Sequence, residues 1–241
     1  MQAKKRKLHG KNLPRKRVIR RKGRQGKMRT KRARLPKRRG YAFSKRAFDI
    51  VFALFGIVLL SPVIGLSLLI KFLEDFHSPI YLSKRVGKDG KIFRFYKIRT
   101  MEVGADEKKK KLIEKGLNEA DGPVFKMKND PRITRFGKFL RKLSLDETLQ
   151  LFNVLNGSMS IVGPRPPLPE EVEQYSALER RRLCVKGGLL CLWQIRKNRH
   201  EISFDEWLKL DLEYIRKRCF SLDLKIIIKG IYMVIFDRSG E

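Results

Sequence analysis

Residues 50–70 read IVFALFGIVLLSPVIGLSLLI, a run of 21 residues without a charged side chain. As a straight helix this run would be about 31 Å long, close to the thickness of a bilayer's hydrocarbon core. Ser61 and Pro62 lie near its middle. Because proline removes a helical hydrogen bond and clashes with the preceding turn, we expect the helix to break there. The Ser61 hydroxyl can bond to a carbonyl one turn earlier, which makes such a break tolerable in lipid.

Basic residues flank this apolar run on both sides. Lys45 and Arg46 precede it, and Lys71, Lys84 and Arg85 begin a series of basic residues that follows it. Basic residues near membrane segments favour the cytoplasmic side, and here both ends carry them. The pattern therefore favours a re-entrant helix-hairpin over residues 41–78, in preference to a full span or to the buried helix of a soluble protein.

The N-terminal segment is strongly basic. The chain has a formal net charge of +32, and residues 1–40 contribute 20 Lys or Arg and no acid. Such a segment repels itself and cannot bury apolar surface, so we expect a disordered tail that binds a polyanion. Anionic lipids of the inner leaflet are the favoured partner, at about 1 kcal/mol for each basic residue near the surface. Nucleic acid is the less favoured partner, because it does not explain the apolar run.

The cysteines and histidines exclude several kinds of site. Cys184, Cys191 and Cys219 have spacings that match no zinc or redox motif, and the three histidines are scattered. A His-based metal site and a Ser-His-Asp triad are therefore not expected. The N-terminus also does not read as a signal peptide, because its basic part is too long and no small-residue cleavage site follows the apolar run.

Beyond the apolar run, the sequence predicts an α+β, mainly helical domain over residues 79–241. Residues 81–86 and 91–98 alternate as strands on either side of Gly87-Lys88-Asp89-Gly90, which predicts a small β-hairpin. Apolar spacing and glycine or capping signals predict the helices 101–116, 133–143, 145–157, 169–182, 204–217 and 222–236. The last of these is too short to span a bilayer readily and is typical of an amphipathic interfacial helix. The overall expectation is a monotopic membrane protein.

The tetrapeptide Ser144-Leu145-Asp146-Glu147 has the pattern of a capping box, with Ser144 as the N-cap. Acids in the first turn of a helix are common for this reason alone, because they complement the helix dipole. A helix start, however, also offers unpaired amide donors to a phosphate. Several basic residues nearby, Arg132 and Arg141 among them, could bind a diphosphate. Asp146 and Glu147 are therefore candidate catalytic acids.

Further candidates surround this acidic pair in sequence. Lys97 and Arg99 end the second predicted strand and share one face of it, and Arg165 is held between prolines in a stiff Gly163–Pro167 loop. A carboxylate and a phosphoanhydride repel each other, so the acidic pair would need these cations in order to react with a phosphoanhydride. Mg²⁺ bound by Asp146 or Glu147 would supply more positive charge, since it prefers carboxylate and phosphate oxygens and needs few protein ligands.

The order of these motifs resembles that of a known family. KRAFDIVFALFGIVLLSPVIG, KIRTM, DPRITRFGKFLRKLSLDETLQLFNVLNGSMSIVGPRP, CLWQI and DLKIIIKG, from about Ser44 to Ile235, resemble the bacterial sugar transferases. These are monotopic polyprenyl-phosphate phosphoglycosyl transferases that initiate exopolysaccharide and O-antigen assembly. The resemblance implies a re-entrant helix broken at Ser61-Pro62. It also implies a location in the bacterial inner membrane, with the catalytic domain facing the cytosol.

The resemblance further implies a reaction in two half-reactions. Asp146 would attack the sugar-bearing phosphorus of a UDP-sugar and release UMP, and polyprenyl phosphate would then attack the phosphosugar on Asp146. Glu147 would help through a metal ion or through a proton, and the sequence leaves both roles open. It also leaves open the sugar, the glycan and whether the chain forms a homodimer.

The chain departs from the family pattern at several positions. Thr148-Leu149 stands where Leu-Pro is usual after the acidic pair, and Gly187-Gly188-Leu189-Leu190-Cys191 replaces a Pro-Gly-Ile-Thr-Gly run. Arg196-Lys197-Asn198 replaces a common Ser-Gly-Arg. The acidic pair and Pro-Arg-Pro are kept, so we expect the reaction type to be kept and the altered run before Trp193 to affect donor specificity. A family member that has lost activity, and a non-catalytic basic protein that binds membranes or nucleic acid, are the alternatives.

Overall fold

A computed structural model describes residues 39–119, 122–125, 127, 129–196 and 202–236. Along the chain the helices and strands are α1 (Arg39–Asp75), β1 (Ile80–Val86), β2 (Ile92–Ile98), α2 (Ala105–Glu114), α3 (Arg135–Lys142), α4 (Gln150–Leu155), β3 (Met159–Val162), α5 (Pro169–Gln174), β4 (Gly187–Leu190), α6 (Phe204–Lys217) and α7 (Phe220–Ile235). The mainly helical α+β class is thus observed. The basic tail predicted for residues 1–40 lies almost entirely outside the described residues.

Helix α1 contains the apolar run and continues through Pro62, so it does not end at Ser61-Pro62, where we expected the helix to break. The Ser61 hydroxyl donates to the carbonyl of Val58 at 2.8 Å, which is the local bond expected beside the proline. In the part of the chain that the structure describes, Gly40–Asp75 is the one helix whose length and composition would allow it to cross a membrane. The helix-hairpin over residues 41–78 stays a prediction.

The two sides of α1 differ sharply in exposure. Its inward stripe holds the buried Asp49, Ala53, Ile64, Ser67 and Lys71, with the partly buried Ile57 and Leu60 between them. The opposite side leaves large apolar side chains exposed: Val51, Phe55, Val58, Leu59, Leu66, Leu69 and Leu73. An exposed apolar surface of this extent is unusual for a soluble protein and typical of one that contacts lipid or a partner.

The beginning of α1 is bonded to the domain that follows it along the chain. Arg46 donates to the carbonyls of Val154 and Leu155 at 2.6 and 2.7 Å, which satisfies the last carbonyls of α4. The buried Asp49 carboxylate accepts from Ser160 Oγ and from the Ile161 amide, both at 3.1 Å. These charge-assisted hydrogen bonds fix the first turns of α1 against α4 and β3.

The end of α1 is bonded to the same domain. Lys71 is fully buried and lies 2.5 Å from Glu74 and 3.5 Å from Asp75. Asp75 in turn accepts two hydrogen bonds from Arg99, just past β2, each at 2.6 Å. Both ends of α1 therefore contact one folded body.

The predicted hairpin is confirmed. Strands β1 and β2 pair antiparallel, with Tyr81 opposite Lys97 and Arg85 opposite Phe93. Because side chains alternate along a strand, Arg85, Phe95 and Lys97 share one face. A short 3-10 turn, Lys88–Gly90, closes the hairpin, and Asp89 and Gly90 there have positive φ angles.

The second pair of strands was not predicted. β3 and β4 pair parallel, with Met159 opposite Gly187 and Val162 opposite Leu190. All residues of β3 are buried, and Met159 and Ile161 have no exposed surface. Each side chain buried in this way stabilises the fold by about 1.5–3 kcal/mol. The surrounding core comes from α1, β2, α4, α6 and α7.

Two helix predictions were wrong. Ser144 adopts a left-handed conformation (φ 55°, ψ 20°) at the end of α3, and its side chain makes no capping bond. Its amide donates to the Arg141 carbonyl, so Ser144 terminates one helix rather than starting the next. The helix predicted for 169–182 is also interrupted: α5 ends at Gln174, and Glu179–Cys184 forms a separate 3-10 helix. The helix 204–217 is confirmed, and Ser203 accepts a capping bond from the Glu206 amide at 3.2 Å.

Candidate active site

Asp146 and Glu147 lie on a 3-10 turn, Leu145–Glu147, in the short connection between α3 and α4. The Glu147 amide donates to the Ser144 carbonyl at 3.3 Å, which holds the turn by its backbone. Asp146 is 2% exposed, whereas the Glu147 side chain is 21% exposed. The turn therefore places a buried and a half-buried carboxylate side by side.

Strand β2 places a lysine between these carboxylates. Lys97 Nζ lies 2.7 Å from Asp146 Oδ2 and 3.7 Å from Glu147 Oε1. Lys97 is one of the two candidates, with Arg99, that the sequence analysis named at the end of this strand. Its position follows from the hairpin register, because the face of β2 that carries Lys97 also carries the buried Phe95.

The proline-flanked loop places an arginine on the other side of Glu147. Arg165 NH1 lies 3.6 Å from Glu147 Oε1. The backbone of the loop is pressed against β4, where the Gly188 amide donates to the Pro164 carbonyl at 2.9 Å and the Gly163 amide donates to the Leu190 carbonyl at 3.0 Å. A Cβ atom on Gly188 would lie 2.0 Å from the Gly163 nitrogen, so this approach requires glycine. The Gly187-Gly188 pair of β4 thus fixes the position of the Arg165 backbone.

A third cation, Arg85, was missed by the sequence analysis. Its NH1 donates to the Pro166 carbonyl at 3.1 Å, and its guanidinium lies 5.1 Å from the centre of the Phe95 ring. Its buried Nε makes no hydrogen bond within the described part of the chain. Burial, together with the neighbouring Arg165, lowers the pKa of Arg85 to about 10. The available signal was the strand register, which puts Arg85 on the face of the hairpin that carries Lys97.

The charges of the site act mainly on Glu147. Burial raises the pKa of its carboxyl, but Lys97, Arg165 and Arg85 outweigh this effect, and the pKa lies below its ordinary value. Conversely, burial lowers the pKa of Arg165, while Glu147 more than compensates and raises it. Three cations face the acidic pair, and the buried Glu171 also acts on Arg85 and Arg165, so the site concentrates cations that can bind an anionic ligand such as a diphosphate.

The carboxylates fit a magnesium ion. Asp146 Oδ2 is buried and makes no hydrogen bond of good geometry within the described residues, although it is ion-paired with Lys97. Over the same residues no group of three or more His, Cys, Asp or Glu could hold a metal. Mg²⁺ commonly binds through one or two carboxylates and completes its shell with water and phosphate oxygens. Asp146 and Glu147 match that donor set. Magnesium binding itself stays a prediction.

The remaining arginines proposed from the sequence are bonded elsewhere. Arg99 pairs with Asp75, and its Nε donates to the Ser78 carbonyl at 2.7 Å. Arg132 pairs with Asp130 and lies over the Phe125 ring. Arg141 Nε donates to Thr100 Oγ1 at 3.0 Å. These contacts give Arg99, Arg132 and Arg141 structural partners, and their roles in binding a substrate stay predictions.

A buried glutamine follows the acidic pair and was also missed. Gln150 opens α4 and is 2% exposed. Its Nε2 atom makes no hydrogen bond within the described residues. A buried amide without a partner is costly, so such groups are uncommon in native structures. It follows Asp146 by four residues, one helical turn.

Comparison with known proteins identifies the family. The bacterial sugar transferase family matches residues 40–237. The chain is 42% identical over 201 residues to a galactosyl transferase, CpsE, of Streptococcus agalactiae, covering 83% of this chain and 44% of that protein. It is 38% identical over 206 residues to an undecaprenyl-phosphate galactose phosphotransferase of Salmonella typhimurium, covering 82% of this chain and 42% of that protein.

A shorter relative is matched over most of its length. The exopolysaccharide production protein ExoY of Rhizobium meliloti is 36% identical over 199 residues, covering 82% of this chain and 88% of that protein. The chain spans less than half the length of the first two relatives and most of the third. The resemblance inferred from the motifs is confirmed, and the chain belongs to the bacterial sugar transferase family.

Proposed function

We propose that the protein transfers a sugar 1-phosphate from a UDP-sugar to polyprenyl phosphate, as the first membrane step of exopolysaccharide or O-antigen synthesis. The observation that carries this proposal is the Lys97–Asp146 contact of 2.7 Å beside Glu147. A buried carboxylate held by a lysine and adjoining two arginines has what a nucleophile needs to approach a diphosphate. The Salmonella relative, an undecaprenyl-phosphate galactose phosphotransferase by name, supports the acceptor class.

In the first half-reaction, an oxygen of Asp146 attacks the phosphorus that carries the sugar. A bond forms between that oxygen and phosphorus, the phosphoanhydride bond breaks, and UMP leaves with the bonding electrons. Asp146 then carries the sugar phosphate as an acyl phosphate. Lys97, Arg165 and Arg85 offset the charge that repels a carboxylate from a diphosphate.

In the second half-reaction, an oxygen of polyprenyl phosphate attacks the same phosphorus. The acyl phosphate bond breaks, the Asp146 carboxylate is regenerated, and a polyprenyl diphosphate sugar forms. The lowered pKa of Glu147 favours a role in charge balance or metal binding over that of a general base. Asp146 and Glu147 would hold Mg²⁺, which would add positive charge where the phosphates bind.

A lipid acceptor requires that the site lie close to a membrane. The exposed apolar side of α1 and the exposed Leu224, Ile228, Ile231 and Tyr232 of α7 supply surfaces that suit the acyl region. Bonds near both ends of α1, at Arg46 and at Asp75, join one folded body. This arrangement supports a re-entrant α1 with both ends on the cytosolic side of the inner membrane, because a full span would separate them by about 30 Å of hydrocarbon.

The test of this function is UMP release. The purified protein is incubated with a set of UDP-sugars, Mg²⁺ and polyprenyl phosphate. We expect release with at least one UDP-sugar, and a loss of about a thousandfold or more in Asp146→Asn. Asp89→Asn, on the exposed hairpin turn, is the matched control and should retain activity. No release with any sugar from a folded protein would favour the non-catalytic alternative.

A further inference from the structure

A second buried charge pair lies behind the loop that carries Arg165. Arg182 NH2 is 2.7 Å from Asp211 Oδ2, and the two side chains are only 4% and 1% exposed. Arg182 lies in the 3-10 helix Glu179–Cys184, and Asp211 lies in α6. The transfer reaction as proposed uses neither residue.

The Arg182 guanidinium connects three parts of the domain. Its NH1 donates to the Tyr175 hydroxyl at 2.8 Å, at the end of α5. Its NH2 lies 3.5 Å from the Arg165 carbonyl, at the long end of hydrogen-bonding range. Arg182 also lines a small cavity together with Pro164, Arg165 and Pro166. The backbone of the Arg165 loop therefore rests against Arg182.

Stability alone does not explain this pair. Desolvation of two buried charges commonly cancels their attraction, and apolar replacements of similar volume are often as stable. Burial raises the pKa of Asp211 to about 6, against the lowering effect of Arg182. Among the described residues, Tyr175 and Cys191 are the other titratable groups that face Asp211. Because burying these two charges costs desolvation energy, we looked for a role of the pair other than stabilising the fold.

We propose that the Arg182–Asp211 pair is a positioning device for Arg165. Asp211 fixes the orientation of Arg182, and Arg182 supports the Arg165 loop from behind, so that the Arg165 guanidinium stays within reach of Glu147 and of the donor diphosphate. The pair thus acts on donor binding and on the first half-reaction through Arg165. This inference rests on the proposed transfer reaction for its kinetic readout.

The test is a double-mutant cycle on UMP release. Arg182→Met with Asp211→Leu removes both charges and leaves apolar side chains in their place, and Arg165→Ala removes the residue on which they act. We expect the Arg182/Asp211 double variant to lose between about tenfold and a hundredfold in kcat/KM for the UDP-sugar, because the loop shifts. In the Arg165→Ala background the same two substitutions should lower kcat/KM almost no further. If the loss from Arg165→Ala and the loss from the double substitution multiply, the proposal is overturned. Full activity in the double variant would also overturn it.

A second measurement does not depend on activity. Hydrogen exchange at residues 163–168, read at the Gly163, Arg165 and Leu168 amides because the three prolines carry no amide proton, should be faster in the double variant than in the wild type. The matched control replaces an exposed pair on the same helix, Glu213→Gln with Lys217→Met, and should leave that exchange unchanged. If no UDP-sugar releases UMP, the proposed function fails, and the exchange experiment still decides the positioning role. Unchanged exchange at 163–168 in the folded double variant would overturn it.

Discussion

Lys97 Nζ lies 2.7 Å from Asp146 Oδ2 and 3.7 Å from Glu147 Oε1, so a single strand residue contacts both members of the acidic pair. The hairpin thereby links the proposed nucleophile to the cations of β1 and of the Arg165 loop. In this arrangement the buried Asp146 carboxylate has a counterion that comes from a rigid strand.

The Lys97 contact predicts a large kinetic effect. Lys97→Met should lower kcat/KM for UMP release by about a hundredfold to a thousandfold, because it removes a preorganised cation from the reacting phosphate. Lys97→Arg should restore part of the loss. Lys91→Met, on an exposed position of the same hairpin, is the control and should behave like the wild type. A wild-type rate in Lys97→Met would remove Lys97 from the site.

The glycines behind the Arg165 loop predict a steric effect. In Gly188→Ala the new Cβ would meet the Gly163 backbone nitrogen at 2.0 Å, so β4 and the loop must separate. We expect a loss of about 3 kcal/mol or more in the free energy of unfolding, together with a strong loss of UMP release. Gly65→Ala in α1, with no atom within 4 Å of the new Cβ, is the matched control. Equal melting temperatures for the two variants would contradict the close approach.

The buried Asp211 predicts a pH dependence of stability. Its pKa is raised from 3.8 to about 6. Between these two pH values, the Asp211 carboxyl is therefore protonated in the folded state and deprotonated in the unfolded state. The contribution of Asp211 to stability therefore falls as pH rises through this window, by up to about 3 kcal/mol. Thermal unfolding of the wild type and of the Arg182→Met/Asp211→Leu variant at pH 4 to 7 measures it. Relative to the variant, the wild type should weaken as pH rises; a constant difference would contradict the raised pKa.

The contacts at both ends of α1 predict a same-side topology. In a background without Cys184, Cys191 and Cys219, single cysteines are introduced at Ser44 and His77, which are exposed at the two ends of the helix. A membrane-impermeant maleimide should label neither position in intact cells and both in inverted vesicles. Labelling of the two positions from opposite faces would reject the re-entrant helix.

Much of the fold could be predicted because its signals are local. The hairpin follows from alternation around a turn, and α6 and α7 follow from a capping residue and apolar spacing. The β3–β4 pair could not be found in this way, because its strands are four residues each and pair across a long connection. Ser144 was assigned to the wrong helix because a serine three residues before a glutamate fits a capping box, whereas its left-handed backbone ends α3.

The candidate site could be predicted in part. Lys97, Arg165 and the acidic pair were named from the sequence, and the fold brings them together. Arg99 and Arg132 looked equivalent in sequence, but the structure gives each a nearby acidic partner. Arg85 looked like one more basic flanking residue, and only its pairing register distinguishes it.

The most direct test of the account is the mass of the protein after exposure to donor alone. The protein is incubated with an accepted UDP-sugar and Mg²⁺ without polyprenyl phosphate, quenched in acid and measured intact by mass spectrometry. We expect an added mass of one sugar phosphate that maps to Asp146, is absent from Asp146→Asn and disappears when polyprenyl phosphate is added. Product formation with no adduct under these conditions, or an adduct on another residue, would contradict it.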